Sequence, residues 1–282
     1  MDGAAIRPID VCHRGYERVI CVFLVGDVLV DCGPASAVDT LVSALGDVRP
    51  RALALTHIHL DHAGAAGVLV ERFPGLEVWV HERGAPHLID PSKLLASASR
   101  LYGDEMERLW GEVRPVPREN VRVLRGGEQL DPFAVAYTPG HASHHVSYWH
   151  EPTRTALVGD VAGVRIAPSP YVLAPTPPPD IDLEAWRVSL DLLRGWRPDR
   201  LAITHFGIFD DVDAHLDGIA SSLEIAAERA RELTLEEFVA AVRADIAAAG
   251  AGDTASAYTL GAPPEQIYAG LQRYWSKREA PR

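Results

Sequence analysis

Up to about residue 207 the apolar positions fall into short runs of two kinds. VICVFLVG and DVLVDCG are rich in Val, Leu, Ile and Phe and are split at Gly26-Asp27. That dipeptide suits a tight turn, so the pair predicts a strand hairpin. SAVDTLVSALG, residues 36–46, instead spaces its apolar residues as a helix does and ends on a glycine fit for a C-cap. RALALTH reads as a strand, HAGAAGVLVERF as a helix and LEVWVHE as a strand. From Pro91 to Glu112 the pattern turns helical, as an insertion or lid would. Strands resume at VRVLRGG, FAVAYTPG, HVSYWH and TALVGD. A proline-rich passage over 167–179, APSPYVLAPTPPP, reads as a loop walling a site. LEAWRVSLDLLRGW is then a helix and RLAITH a strand, and three or more helices follow from Asp211. The alternation predicts an α/β body over residues 1–207 and a helical extension over 208–282 packed on it.

Candidate chemistry concentrates in THIHLDH, Thr56 to His62. Side chains two apart in an extended segment point the same way, so His57 and His59 leave the strand end on one side. A turn then lets Asp61 and His62 face a second ion. Imidazole and carboxylate are donors suited to zinc, iron or manganese. Four residues cannot complete two metal sites. Three further candidates sit where strands end: His141 in TPGH, Asp160 closing TALVGD and His205 closing RLAITH.

THIHLDH, TPGH, GD and a late strand-terminal His, in that order, resemble the metallo-β-lactamase superfamily over about the first 207 residues. The resemblance implies a four-layer αββα sandwich with the site along one edge of its two sheets. It also implies two divalent ions, zinc ahead of iron or manganese. His57, His59 and His141 would hold one ion, Asp61, His62 and His205 the other, and Asp160 would bridge them. Asp31, in VLVDCG, matches a strand-end Asp of the family and would brace a ligand from behind. His145 resembles a supporting position. His144 stands where many relatives have glycine and is expected to be an ordinary loop residue. His13, His81, His87, His150 and His215 have no partner pattern, so each is expected to be structural.

Two divalent ions set against Asp61, Asp160 and a bridging hydroxide leave a charge of about +1. That balance favours an electrophile with partial or full negative charge. Asp160 would fix the ion spacing, while Asp61 could orient the hydroxide and move a proton to the leaving group. The expectation is a metal-dependent hydrolase of a thioester or other activated carbonyl, like the glyoxalase-II-like members. Its alternatives are a lactonase of the acyl-homoserine-lactone type and a mononuclear iron sulfur dioxygenase. Arg273, Tyr274 and Lys277 are the only candidates for gripping a thiol carrier such as glutathione. Tyr171, in the proline-rich loop, is the candidate for the substrate-facing tyrosine that lactonases carry.

Composition narrows the setting. The 282 residues are 47% hydrophobic and 23% charged, an ordinary globular balance. A net charge of −12 lacks the basic footprint of a nucleic-acid binder, so a small-molecule substrate is expected. ICVFLVGDVLV is too short and interrupted to span a membrane. No charged start followed by an apolar segment marks a signal peptide, and a cytoplasmic protein is expected. Cys12, Cys21 and Cys32 are odd in number and widely spaced, so each is expected to be a small buried hydrophobe. DAHLDGIASSLEIAAERAREL carries apolar residues at helical spacing, which suits packing or a homodimer face better than substrate contact.

Overall fold

The structure, a computed structural model, describes residues 5–279. Its first sheet has six strands in sequence order: β1 (Ile6–Asp10), β2 (Cys21–Val25), β3 (Val28–Val30), β4 (Ala52–Ala54), β5 (Glu77–His81) and β6 (Val121–Leu124). The β1–β2–β3 part is antiparallel and β3 to β6 run parallel. The second sheet holds β7 (Gln129–Leu130), β8 (Phe133–Tyr137), β9 (Val146–His150), β10 (Thr155–Leu157), β11 (Arg200–Ile203) and β12 (Gly207–Phe209). Only its β10–β11 pair is parallel.

A period of two sorts the strand residues into separate cores. Along β2, Cys21, Phe23 and Val25 enter the core between the sheets, where they meet Trp79, Phe133 and Tyr148, while Val22 and Leu24 face the helices. On β10 and β11, Leu157 and Ala202 point between the sheets and Ala156, Leu201 and Ile203 point outward. The outward faces are covered by helices. α1 (Val38–Leu45), α2 (Leu60–Ala63) and α3 (Ala66–Arg72) follow β3 and β4. α4 (Ala85–Ile89), α5 (Ser92–Tyr102) and α6 (Met106–Trp110) fill the crossing from β5 to β6, and α7 (Leu183–Gly195) joins β10 to β11. The result is the expected αββα sandwich.

The tail consists of α8 (Val212–Glu232), α9 (Leu235–Ala248), α10 (Ala255–Gly261) and α11 (Pro264–Glu279). Leu216, Ile219 and Leu223 of α8 share one core with Leu190 and Leu193 of α7, so the extension packs on the body. A capping box starts α9, with Thr234 accepting from the Glu237 N–H and Glu237 accepting from the Thr234 N–H.

Three short strands carry little sequence signal. β1, β7 and β12 lie at or next to sheet edges with mixed burial, and β12 takes the second sheet to Phe209, past the boundary read at Gly207. Cys21 and Cys32 are buried as expected, but Cys12 is exposed, because it rides the loop between β1 and β2. Among the described residues no helix is long and apolar enough to cross a membrane.

Candidate metal centre

Every candidate ligand leaves the end of a strand at the same edge of the sandwich. His57 and His59 follow β4, and Asp61 and His62 lie in the short helix α2. His141 stands in the β8–β9 loop, Asp160 in the turn after β10 and His205 just after β11. Thus the first sheet supplies four of these side chains and the second sheet three. Gly159, at φ +47°, lets the chain reach Asp160: a Cβ there would lie 2.7 Å from Thr56 Oγ1 and 2.9 Å from His145 Nε2.

The side chains form two triads. His59 Nδ1 lies 2.9 Å from both His57 Nε2 and His141 Nε2. On the other side, Asp61 Oδ2 is 3.4 Å from His205 Nε2 and 3.9 Å from His62 Nε2. Asp160 stands between them, with Oδ2 3.4 Å from His141 Nε2 and Oδ1 3.2 Å from His62 Nε2 and 3.5 Å from His205 Nε2. Each carboxylate oxygen faces a different triad.

Several of these atoms have only one another within reach and make no directed hydrogen bond. His62 Nε2, His205 Nε2 and Asp160 Oδ1 are buried without a hydrogen bond. Leaving a buried polar atom unpaired costs about 1–3 kcal/mol, so three together imply a further partner. The far side of each ring is anchored. His62 Nδ1 pairs with Asp31 Oδ2 at 2.7 Å, His205 Nδ1 with Val19 O at 2.6 Å and His141 Nδ1 with Pro175 O at 2.8 Å. Donation from Nδ1 to these oxygens leaves the Nε2 lone pair for an ion. The donors, their convergence and the unpaired atoms fit two divalent cations.

Residues 19–205 match the family model described as the metallo-beta-lactamase superfamily. The chain belongs to that superfamily. It is 29% identical over 182 residues to the metallo-beta-lactamase fold-containing protein ST1585 of Sulfurisphaera tokodaii, covering 61% of this chain and 67% of that one. The crystal structure of ST1585 superposes with a TM-score of 0.66 over 78% of this chain and 86% of its own, at 24% identity. TTHA1623, solved in a di-iron-bound form, gives a TM-score of 0.55 at 28% identity, over 72% of this chain and 93% of that one. A hydroxyacylglutathione hydrolase of Salmonella paratyphi A is 30% identical over 131 residues, 44% of this chain. The match spans only 39% of that enzyme's length.

Around this superfamily site the charges divide the two triads. Burial and the neighbouring imidazoles lower His57, burial and Asp160 act in opposite senses on His141 with a net fall, and burial with His141 takes His59 to about 3. Burial alone would also lower His62 and His205, but the carboxylates of Asp160 and its neighbours raise both. Conversely, burial would raise Asp61 and Asp160, and the imidazoles beside them hold both carboxyls low. The carboxylates thus favour positive charge at His62 and His205, where a cation would sit.

Asp31 stands behind the site, as expected of it. Its carboxylate accepts from the Thr56 N–H at 2.8 Å, the Thr56 hydroxyl at 2.9 Å and the Thr204 hydroxyl at 3.0 Å, besides pairing with His62. His145 also supports: Nδ1 pairs with Thr138 Oγ1 at 2.9 Å and the ring stacks 5.1 Å from His57. His144 is more than a loop residue, with its ring centroid 6.1 Å from His57 and 5.7 Å from His59. His81 stacks on Tyr137, His150 pairs with Thr153, His215 donates to the Ala162 carbonyl and His87 sits half-buried on α4, all structural settings.

A cavity of about 400 Å³ opens onto His59, Asp61, His141 and Asp160. Its walls come from α5 and α6, from Pro175–Pro179 and from the turn between α10 and α11. Leu260, Ala262 and Ile267 therefore line the site, and the tail does more than pack. Tyr171 is not on this cavity; it borders a separate groove with Ser222 and Arg229. The tyrosine that reaches it is Tyr102, which donates to Gln266 Oε1 at 3.3 Å and is pushed up to about 12 by burial and by Asp61. Its signal was the spacing of Leu94, Ala98, Leu101 and Tyr102 on one face of α5. Arg273 and Lys277 donate to the Pro179 carbonyl and Tyr274 to Glu184, and none of the three lines the cavity. His13 does line it, contrary to the purely structural role expected.

Proposed function

We propose that this chain is a dinuclear metal-dependent hydrolase acting on a thioester or other activated acyl carbonyl of a small molecule. One observation carries the reading: two triads sharing Asp160, with unpaired donor atoms, lie at the floor of a cavity. Structural zinc sites are closed by four protein ligands, whereas catalytic ones keep a position open to substrate. Bound divalent ions would supply a water of near-neutral pKa and a Lewis acid for the carbonyl oxygen. Zinc heads the candidates. Iron is supported by the di-iron form of TTHA1623, and manganese suits the same donors.

The protein side chains would divide the remaining work. Asp160, with 5% of its side chain exposed, is placed to hold the two triads at fixed spacing. Asp61, at 19%, is the more open carboxylate and reaches the cavity, where it can take a proton and pass it to the leaving group. The apolar walls would keep bulk water from the reacting carbonyl.

Similarity to a hydroxyacylglutathione hydrolase favours a thioester over a lactone. The lactonase alternative relied on Tyr171, which lies off the cavity. Arg273, Tyr274 and Lys277 also lie off it, so the reading is not tied to glutathione as the carrier. The test is metal analysis with turnover of acyl thioesters, lactones, a phosphodiester and a β-lactam by purified, chelated and metal-restored protein. About two ions per chain, with thioester turnover lost on chelation and regained on restoration, is the expected result. One iron per chain with no hydrolysis would replace this reading with the sulfur dioxygenase.

A further inference from the structure

Six buried side-chain atoms among the described residues have no hydrogen-bond partner. Three belong to the metal triads, and His145 Nε2 lies beside them. The other two are His13 Nδ1 and Trp110 Nε1, and their rings stack on each other at 5.7 Å and 13°. Both residues line the cavity, with 4% and 8% of their surface exposed. Two unsatisfied polar rings stacked in one wall are costly unless something else completes them.

The chain takes trouble to place this pair. His13 lies between Cys12 and Arg14, both non-glycine residues at positive φ, 48° and 58°. Asp10 holds the loop by accepting from the Cys12 N–H at 2.9 Å and the Arg18 N–H at 2.7 Å. Backbone strain of this kind persists where the surroundings over-determine it, and it gathers at functional sites. On the other side, Trp110 is the last residue of α6 and is followed by Gly111 at φ +70°. A Cβ on Gly111 would lie 2.6 Å from Ser36 N, and the Ser36 hydroxyl donates to the Leu109 carbonyl at 2.7 Å. The end of α6 is therefore pinned, and Tyr102 packs edge-on against the indole at 5.1 Å.

We propose that His13 and Trp110 form a positioning subsite for a neutral oxygen on the acyl part of the substrate, away from the carbonyl that is cleaved. The subsite rests on the hydrolase reading above. The Trp110 indole N–H only donates, so its missing partner is an acceptor, and His13 can share that acceptor in the tautomer that carries its proton on Nδ1. Leu94, Ala98 and Leu109 line the same cavity, and an apolar setting suits an amide, keto or hydroxyl oxygen better than a full charge. The substrate class is therefore an acyl thioester or ester with a second oxygen in its acyl chain.

Two N-acetylcysteamine thioesters test this, one of pentanoate and one of N-acetylglycine, nearly equal in chain length but differing by an amide. Their ratio of kcat/KM is measured for metal-loaded wild type, His13→Phe and Trp110→Phe; the intrinsic reactivity difference is the same for all three. Trp110→Phe keeps a ring in the wall and removes the N–H. Each variant should lower the preference for the amide substrate about fivefold or more, through KM, with ion content unchanged. Val188→Ala, on the exposed face of α7, should leave the ratio alone. An unchanged ratio in both ring variants, equal losses on both substrates, or loss of bound ion would overturn the subsite. If the wild type hydrolyses neither compound, the hydrolase reading stands or falls on the wider panel above, and calorimetric binding of the same two thioesters decides the subsite. Weaker binding of the amide compound alone in the variants supports it; equal binding, or none, overturns it.

Discussion

A single carboxylate shows how much of the site is built behind the ligands. Asp31 follows β3 yet takes hydrogen bonds from Thr56 after β4, from His62 in α2 and from Thr204 after β11. It thereby fixes the tautomer of His62 and ties the two sheets at the edge where the triads lie. Asp31→Asn keeps the shape but removes the charge that His62 faces. Ion affinity should fall about 10–100-fold, read by competition with a chromophoric chelator; unchanged affinity would mean His62 needs no brace. His215 gives a second residue-scale prediction. Its Nε2–H donates to Ala162 O at 2.8 Å, its Nδ1 faces the Arg165 guanidinium at 3.4 Å, and burial holds it at about 4. An unfolded histidine takes its proton near 6.5, so the unfolded state gains protons as the pH falls from about 6.5 to 4. Stability is lost across that window, by up to about 3 kcal/mol for this group. Urea unfolding of ion-free His215→Gln at pH 7 and pH 5 should show a smaller acid loss than wild type. The convergence of the candidate ligands was legible because their spacing is local, as in THIHLDH, or is marked by a strand end. His13 and Trp110 were not, because a β1–β2 loop and the end of α6 meet only through the fold.

Between residues and molecule, the elements show the same division. Strands β2 to β6 and β8 to β11 were readable because their apolar residues run continuously, as in β2, or alternate in size, as in β8. β1, with the sequence IRPID and two exposed positions, alternates too weakly to be told from loop. α8 was legible as a packing helix, and Leu216, Ile219 and Leu223 bear that out. What periodicity could not show is that the α10–α11 turn reaches the cavity opposite α5, since the direction of a tail is set by long-range packing. This arrangement makes a prediction at the scale of elements. Ala98 on α5 and Ala262 beyond α10 are small, buried residues on the cavity wall. Ala98→Phe or Ala262→Phe should fill the space and raise KM about tenfold or more, while leaving the two triads able to bind ions. Ion content by elemental analysis and thioester kinetics check it together. Parallel effects from both positions would show that insertion and tail enclose one substrate; an effect from Ala98 alone would return the tail to a packing role.

At the scale of the molecule the centre joins two sheets that are otherwise held by the Phe23–Trp79–Tyr148 core. His57, His59, Asp61 and His62 come from the first sheet and His141, Asp160 and His205 from the second, so an ion in either triad would cross-link the sandwich. Without ions, Asp160 and Asp61 favour the protonated forms of His62 and His205 and raise both despite their burial. A raised folded pKa stabilises below the unfolded value near 6.5 and loses that contribution as the pH climbs through the folded one. Ions must therefore displace protons as they bind. Titrating ion-free protein with zinc at pH 7 in buffers of different ionisation enthalpy should reveal release of at least about one proton per chain, fading as the pH rises past the folded values. Binding to the native state alone should also stabilise it by about 4 kcal/mol at a thousandfold excess over Kd. For a chain of this size that is a rise in Tm of roughly 10 °C. The two readouts separate the causes: a Tm rise without proton release would place the ion elsewhere, whereas both together, abolished by Asp160→Asn, would locate it between the sheets.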